Sequence, residues 1–425
     1  KKQMKEEQIM KIRYYKLNIR EIIIVILLFL FVFNEFLTKN VSPIFSYIDD
    51  FAIVVIILAT VIQIVKHRGK LCMNKYEMYI LFCYILIYIL GIFGNIFSQF
   101  QNNKFAILLD MLSWAKFFIA YICLVNIINP KKADAYFDYL VKLGKIIIII
   151  GLVLEILNIF TDIKLTQGYG RFGLEAFSLG GHPTFTSAVL AGFTSAFLVE
   201  PKKNKIWLAL GLLLIAATLR SKAIAYVCLV IYALIFLRKN INVTKILTLA
   251  ILVLIVGWSQ IQYYFLDGTA SRARALNTSI QIANDYFPTG SGFASFGTIM
   301  SGKYYSKAYV LYGLSERWGF TKENYNYVAD GGWATIIAEF GYIGTLIFLC
   351  IIVFFILSIK ERIYGKTKYI VPYITLIGYI FISSTNEAAF NCNYAVFYGI
   401  LIAIIVLKTM NKKERNVSKK DEKEC

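Results

Sequence analysis

Apolar residues run through this chain in blocks of about 20, long enough to cross a hydrocarbon core about 30 Å thick. Such blocks lie near 20–37, 46–65, 76–99, 105–128, 145–160, 183–199, 205–219, 221–237, 245–262, 333–357, 369–385 and 394–408. Lipid offers no hydrogen-bond partners to backbone N–H and C=O groups, so each block is predicted to be a helix, which satisfies those groups internally. No alternation of polar and apolar positions of the kind a β-barrel strand needs is present. The predicted fold is an all-α polytopic membrane protein of about twelve transmembrane helices, a single integral membrane domain over residues 1–425. No internal repeat of the kind found in inverted-repeat transporters is visible.

Two interruptions break this pattern. One spans 161–182. The other, 263–331, is polar and aromatic and separates the ninth block from the tenth. A connection this long is usually functional or disordered, and its aromatic content argues against disorder. A basic tail, 409–425, closes the chain.

Composition agrees with the pattern: 58% of residues are hydrophobic and 17% charged. The net charge of +19 would suit a nucleic-acid partner, but its distribution does not. With the N-terminus threaded in the cytoplasm, most Lys and Arg fall in the tails and in the loops around Lys66–Lys75, Lys131–Lys145, Lys202–Lys205 and Lys360–Lys368. That is the positive-inside bias. It supports a threading with both termini cytoplasmic, assigns the basic charge to topology and anionic lipid, and argues against nucleic acid, while the Ile- and Lys-rich, Arg-poor usage suggests a bacterial plasma membrane. The first block ends in Asn34-Glu35-Phe36-Leu37 without a small-residue cleavage site, so it is expected to be a span and not a removable leader. The seven cysteines are scattered and form no CxxC, so no disulfide framework is expected.

Ionisable residues inside spans are costly, and they are either functional or paired. Asp110, Lys116, Glu155 and Glu339 belong to this group, and pairing between helices is the expected role. Arg220 and Lys222 sit where two spans meet, in Thr218-Leu219-Arg220-Ser221-Lys222. They make either a turn solvated among headgroups or a cationic site for an anionic ligand. No His/Cys/Asp cluster has ligand spacing, so no metal and no cofactor are expected. Asp49-Asp50, an acidic pair near the outer end of the second block, could help hold a divalent cation. A helix-start cap or a salt bridge is the stronger reading.

The first interruption reads Gln167-Gly168-Tyr169-Gly170-Arg171-Phe172-Gly173 and then Gly180-Gly181-His182-Pro183. Glycines let a backbone approach a ligand closely, and the Arg171 guanidinium can grip phosphate with a two-pronged fork. Pro183 suits the first turn of a helix, with His182 as its cap or as a ligand-facing group. In the long loop, Ala273, Leu276, Ile280, Ala283 and Phe287 recur at helical spacing, which predicts an amphipathic helix from about Ala270 to Tyr286. Arg272 and Arg274 flank its apolar stripe on opposite sides. Tyr304, Tyr305, Tyr309, Tyr312, Trp318, Tyr325 and Tyr327 offer flat apolar faces with polar tips that suit either sugar rings or a membrane interface.

Four stretches carry a resemblance. Arg274-Ala275-Leu276-Asn277 leads to Phe287-Pro288-Thr289-Gly290-Ser291-Gly292-Phe293. Asp330-Gly331-Gly332-Trp333 leads to Ala338-Glu339-Phe340-Gly341-Tyr342-Ile343-Gly344. Gly170-Arg171 leads to His182-Pro183, and the Thr218–Lys222 turn lies between two spans. Their order and spacing resemble the bacterial O-antigen polymerase and ligase superfamily, and within it the capsular polysaccharide polymerases. Two positions depart from that pattern: ligases commonly carry histidine where Asp330 stands, and Asn277 replaces a tryptophan that often follows the loop arginine.

The resemblance implies a membrane-embedded, C-type, metal-independent inverting glycosyltransferase with its site facing outside. Its donor and acceptor would be oligosaccharides on undecaprenyl diphosphate. Membrane lipids, a flippase and a chain-length regulator would be its partners, and its product would be a surface polysaccharide of capsular or O-antigen type. Arg171 and Arg274, assisted by Arg272 and Arg220, are expected to bind the diphosphate. Asp330 is expected to be the general base, with His182 the next candidate, and Tyr304, Tyr305, Trp318 and Tyr325 to contact sugar. The bland alternative for Asp330 is an N-cap on the helix beginning near Trp333. Competing readings are a ligase, a flippase or other exporter of lipid-linked oligosaccharide, and a metal-dependent transferase using Asp49 and Asp50.

Overall fold

The apolar blocks fold as helices whose ends are set by capping side chains and by breaks in the apolar run. The computed structural model describes residues 19–66, 73–160, 174–237, 270–363 and 369–410, with isolated positions between 244 and 268. Among the described residues regular structure is helical. The chain forms α1 (Ile19–Val32), α2 (Asn34–Asn40), α3 (Ile48–Lys66), α4 (Lys75–Ser98), α5 (Lys104–Ala115), α6 (Phe118–Ile127), α7 (Ala133–Phe160) and α8 (Pro183–Phe197). It continues with α9 (Lys205–Ala217), α10 (Ser221–Tyr232), α11 (Ser271–Asp285), α12 (Ile299–Lys303), α13 (Ala308–Leu311), α14 (Gly332–Arg362), α15 (Ile370–Ser384) and α16 (Ala395–Thr409).

Three of these are long and apolar enough to cross a membrane: α3 with its leading turn (Pro43–Lys66), α4 and α14. The pair α5 and α6 makes a fourth if counted as one span bent by 56°. Helices α9, α10 with its extension to Leu237, α15 and α16 are apolar but shorter. The block read near 20–37 breaks at Phe33 into α1 and α2, and the block near 245–262 lies mostly outside the described residues. The stretch 131–145, read as a loop, is largely helix. Asn129 caps a short turn by accepting from Lys131 N–H at 2.9 Å, and Tyr136, Phe137 and Leu140 then make one buried stripe of α7, which stabilises the helix through packing.

Helices α8 and α16 are buried on nearly every side; such all-round apolar helices belong in an interior. Helices α6, α7 and α8 pack around α16. By contrast α3, α4 and α14 leave Phe51, Leu58, Val65, Phe82, Ile85, Leu346 and Val353 exposed. A soluble surface rarely carries so much contiguous apolar area, and lipid accounts for it.

Two buried charge clusters are paired, whereas the buried acids Asp110 and Glu339 face each other and not a cation. At the bend between α5 and α6 the Lys116 ammonium lies 2.6 Å from Asp49 and 2.9 Å from Asp50, which is the salt-bridge arrangement for that acidic pair. At the other end of α14, Arg362 donates to both carboxylate oxygens of Glu77 at 2.5 and 2.7 Å. Removing one partner of such a pair leaves an uncompensated buried charge, a cost of about 3–5 kcal/mol.

From residue 270 onward the long loop is a folded cap. Ile282, Phe296, Tyr309, Phe320 and Val328 form a core of its own, closed below by Phe100, Ala334 and Ala338. The run Gly290–Phe293 fastens this cap to the helices. Gly341 breaks the helical path of α14 with φ 62°. The Ala338 and Glu339 carbonyls instead accept from Ser291 and Gly292 N–H at 2.9 and 2.8 Å. From α4, Asn95 holds both backbone groups of Phe293, donating to its carbonyl at 2.8 Å and accepting from its N–H at 2.9 Å. Ser98 donates to the Ser291 carbonyl at 2.7 Å. No larger residue fits at Gly292: its φ is 86° and a Cβ would overlap the Asn95 backbone nitrogen.

This seating predicts two unequal glycine substitutions. Gly313 also has a positive φ, 67°, but nothing lies within 4 Å of a Cβ there. Gly313→Ala should cost only the left-handed backbone, about 1–2 kcal/mol. Gly292→Ala adds overpacking worth about 1–3 kcal/mol more. Thermal unfolding in detergent should show the larger drop in Tm for Gly292→Ala. Equal drops would mean that the run is not a tight anchor.

Candidate functional site

A cavity of about 840 Å³ opens where several helices begin. The N-terminal ends of α8, α10, α11 and α16 all contribute to its lining, and α14 starts just after it. Helix α8 supplies His182, Thr184 and Phe185; α10 supplies Arg220, Ser221 and Lys222; α11 supplies Arg272. The cap supplies Ile299, Trp318, Asn326, Tyr327 and Asp330. The link between α15 and α16 supplies Asn386, Glu387, Cys392, Asn393 and Tyr394, and α2 supplies Glu35. Each helix start carries unsatisfied N–H groups and a partial positive charge. Arg220, Lys222 and Arg272 add three cations to these helix starts, and Glu35, Asp330 and Glu387 set three acids against them.

Local sequence explains how these groups arrive. Gly181 admits the Glu35 side chain against the chain just before α8; a Cβ there would overlap the carboxylate. Glu35 Oε2 accepts from His182 N–H. His182 caps α8, with Nδ1 accepting from Thr184 N–H at 3.2 Å. Burial, aided by Arg220 and Lys222, pushes the imidazole down to about 4, so the ring is neutral near pH 7. Because Nδ1 spends its lone pair on Thr184, the ring proton sits on Nε2. His182 is therefore a hydrogen-bond donor in this arrangement and a poor general base.

Asp330 precedes α14 but does not cap it. The N-cap is Gly331, with no side-chain cap bond, so the capping role weighed for Asp330 is not what the structure contains. Its carboxylate faces Arg272, with Nη2 at 3.5 Å from Oδ2, while Arg272 Nε donates to the Asp330 carbonyl at 3.2 Å. Burial pushes the carboxyl up to about 6, a rise that Arg272 opposes and Glu387 reinforces. Lys222 is held by Glu387, whose Oε1 also accepts from the Tyr394 hydroxyl. Trp318 stands edge-on to Tyr327, ring centroids 5.0 Å apart, and gives one wall a flat apolar face.

The residues singled out from sequence divide accordingly. Asp330, His182, Arg272, Arg220 and Trp318 come together at the cavity. Arg274 lies on α11 away from its lining, as expected for two arginines on opposite flanks of one stripe. Tyr304 packs edge-on to Phe105. The Tyr305 hydroxyl donates to the Phe320 carbonyl at 2.8 Å inside the cap. Tyr325 covers Gly302. Arg171 lies outside the described residues. The run Gly290–Phe293 does not line the cavity. Sequence reasoning missed Glu35, Glu387, Asn386, Asn393 and Tyr394 and had Tyr327 only as one of seven aromatic candidates. The one available signal was polar punctuation, Asn34-Glu35 and Asn386-Glu387, at the ends of apolar blocks.

Among the described residues no group of three or more His, Cys, Asp or Glu side chains is arranged to hold a metal ion. Comparison with protein-family models, curated proteins and solved structures finds no match for the chain.

The state of His182 is directly measurable, because the chain has two histidines. In a pH titration of isotope-labelled histidine by NMR, the signal lost in His182→Gln should titrate at about 4, well below the usual value near 6.5. A midpoint near 6.5 would place the ring in water and remove the donor assignment.

Proposed function

We propose that the protein is a glycosyltransferase of the membrane that extends a polysaccharide from oligosaccharide units carried on a polyprenyl diphosphate, a polymerase similar to those of capsule and O-antigen synthesis. The observation that carries the reading is the meeting of helix N-termini, Arg220 and Arg272 with an elevated carboxyl, Asp330, in one cavity that also holds Glu35, likewise raised by burial. A diphosphate leaving group needs preorganised cations and N–H groups, and an attacking sugar hydroxyl needs a base with a pKa near neutrality. The layout of about twelve spans, with this cavity on the outer side and both termini inside, belongs to the same proposal.

In the proposed step the Asp330 carboxylate takes the proton of an acceptor hydroxyl. The freed oxygen attacks the anomeric carbon of the donor sugar from the face opposite the diphosphate. The bond between that carbon and the diphosphate oxygen breaks, and its electron pair leaves with the lipid diphosphate. Arg220 and Arg272 stabilise the charge that develops there, and the anomeric configuration inverts. Trp318 and Tyr327 offer a face for a sugar ring. His182, as an Nε2–H donor, serves the ligand and not the proton transfer. The aspartate at the loop exit favours a polymerase over the related ligases, and Asp49 and Asp50, which converge on Lys116, are not needed.

Two measurements on purified protein test this. Below the base's pKa the rate falls tenfold per pH unit, so kcat/KM should bend at about pH 6; a bend near 4 would point to His182 instead. Asp330→Asn keeps size and polarity but cannot accept the proton, and should lose about a hundredfold or more in rate, as general bases contribute about 10²–10⁴. Wild-type turnover in Asp330→Asn would remove it from the mechanism. Arg272→Lys and Arg220→Lys keep charge but lose the fork, and each should lower kcat/KM about ten- to a hundredfold, the equivalent of a charged hydrogen bond worth about 1.5–3 kcal/mol.

A further inference from the structure

The Lys222–Glu387 pair differs from the other buried ion pairs in where it stands. Glu77 and Arg362 are enclosed among helices α4, α6 and α14, joined by Asn126 and Ser358. Lys116 is enclosed with Asp49 and Asp50. None of these lines the cavity. Lys222 and Glu387 both do, as do Arg272 and Asp330, a looser and more exposed pair with 3.5 Å between Nη2 and Oδ2. The Lys222 side chain is 5% exposed against 20% for Glu387, so the carboxylate is the more accessible member. The ammonium also lies 5.7 Å from the ring centroids of both Tyr379 and Tyr394, which attract a cation through their π faces. The cation thus has aromatic neighbours that would keep it in place without Glu387. Lysine is a flexible point charge that can change partners without the geometric demands of arginine.

We propose that Glu387 is a built-in counter-anion: it holds Lys222 while the cavity is empty and yields it to an incoming diphosphate. The inference rests on the reading of the cavity as a diphosphate site and not on the identity of the sugar. Glu387 is a positioning residue that acts through Lys222. It keeps a buried cation compensated at rest, and it weakens diphosphate binding, because entry of the ligand must break the pair and bring like charges together. A site that must release a lipid diphosphate after each transfer is served by that weakening.

The test is calorimetric titration of the whole purified protein in detergent with inorganic pyrophosphate, with farnesyl diphosphate in micelles, and with phosphatidylglycerol vesicles, at one pH and salt concentration. Glu387→Gln keeps an acceptor for the Tyr394 hydroxyl and removes only the charge. It should tighten binding of pyrophosphate at least tenfold. Lys222→Gln should weaken it at least tenfold. At a pH above about 8, where Glu35, pushed up to about 7 by burial, is ionised, Glu35→Gln removes a negative charge from the same cavity without removing the partner of Lys222, and its gain should be clearly smaller. A gain for both diphosphates supports the proposal. A gain larger for farnesyl diphosphate than for pyrophosphate supports it with a lipid-borne diphosphate as the source. No gain, a gain confined to the vesicles, or an equal gain in Glu35→Gln overturns it. If Glu387→Gln does not fold, Glu387→Asp decides: the carboxylate, one methylene shorter, holds Lys222 less closely, so pyrophosphate affinity should rise at least threefold. Unchanged or lower affinity in that variant overturns the proposal. Tighter pyrophosphate binding in a protein that makes no polymer would retire the polymerase reading and leave the counter-anion intact.

Discussion

The break of α14 at Gly341 is the joint on which the cavity depends. A continuous helix would keep the Ala338 and Glu339 carbonyls for itself. The break hands both to the backbone of Ser291 and Gly292, while Asn95 and Ser98 of α4 grip the same run from the other side. The cap is thereby fastened to the two helices that pack most extensively on each other, α4 and α14. Arg272, Trp318 and Asp330 all belong to the cap or to its exit. The joint seats the cap that carries them beside His182 and Arg220.

Around the joint, helix polarity and charge act together. Helices α8, α10, α11 and α16 bring their N-terminal ends to the cavity. Their partial charges and the three cations would make it strongly positive if nothing opposed them. Glu35, Asp330 and Glu387 supply the opposition, and each is tied to a particular donor: the His182 N–H, Arg272, and Lys222 with Tyr394. Burial opposes ionisation of Asp330 and of His182 alike, with opposite consequences. The acid is brought near neutrality, where it can exchange a proton, and the imidazole is locked neutral, where it can only donate. Two titratable groups in one cavity are thus assigned different work by their surroundings.

The helical membrane class was legible because apolar blocks of this length have few other uses, and α4 and α14 stand close to where the pattern put them. The break at Phe33 and the bend at Lys116 were not legible. Both sit inside runs that read as continuous, and tertiary packing decides them. The amphipathic helix in the long loop was readable from its period, and its two arginines part as that period requires. Asp330, His182 and Arg220 stood out because they sit in the stretches that carry the resemblance, and Arg272 because it flanks the apolar stripe of the loop helix. Glu35 and Glu387 did not stand out, since an acid at the end of an apolar block looks like punctuation until the fold brings two such ends together. The Gly290–Phe293 run was conspicuous for a different reason: its glycines serve close backbone contact with α4 and α14, not a ligand.

The central claim is that this one chain joins lipid-linked sugars using the carriers' own diphosphate as leaving group. The direct measurement is to reconstitute the purified protein in liposomes with polyprenyl-diphosphate-linked repeat units, omit nucleotide sugars, add a metal chelator, and resolve the glycan products by size. The account predicts a ladder of products that lengthens by whole repeat units, with free polyprenyl diphosphate released in step. Repeat units that stay single while the protein is folded and their carrier is bound would contradict it.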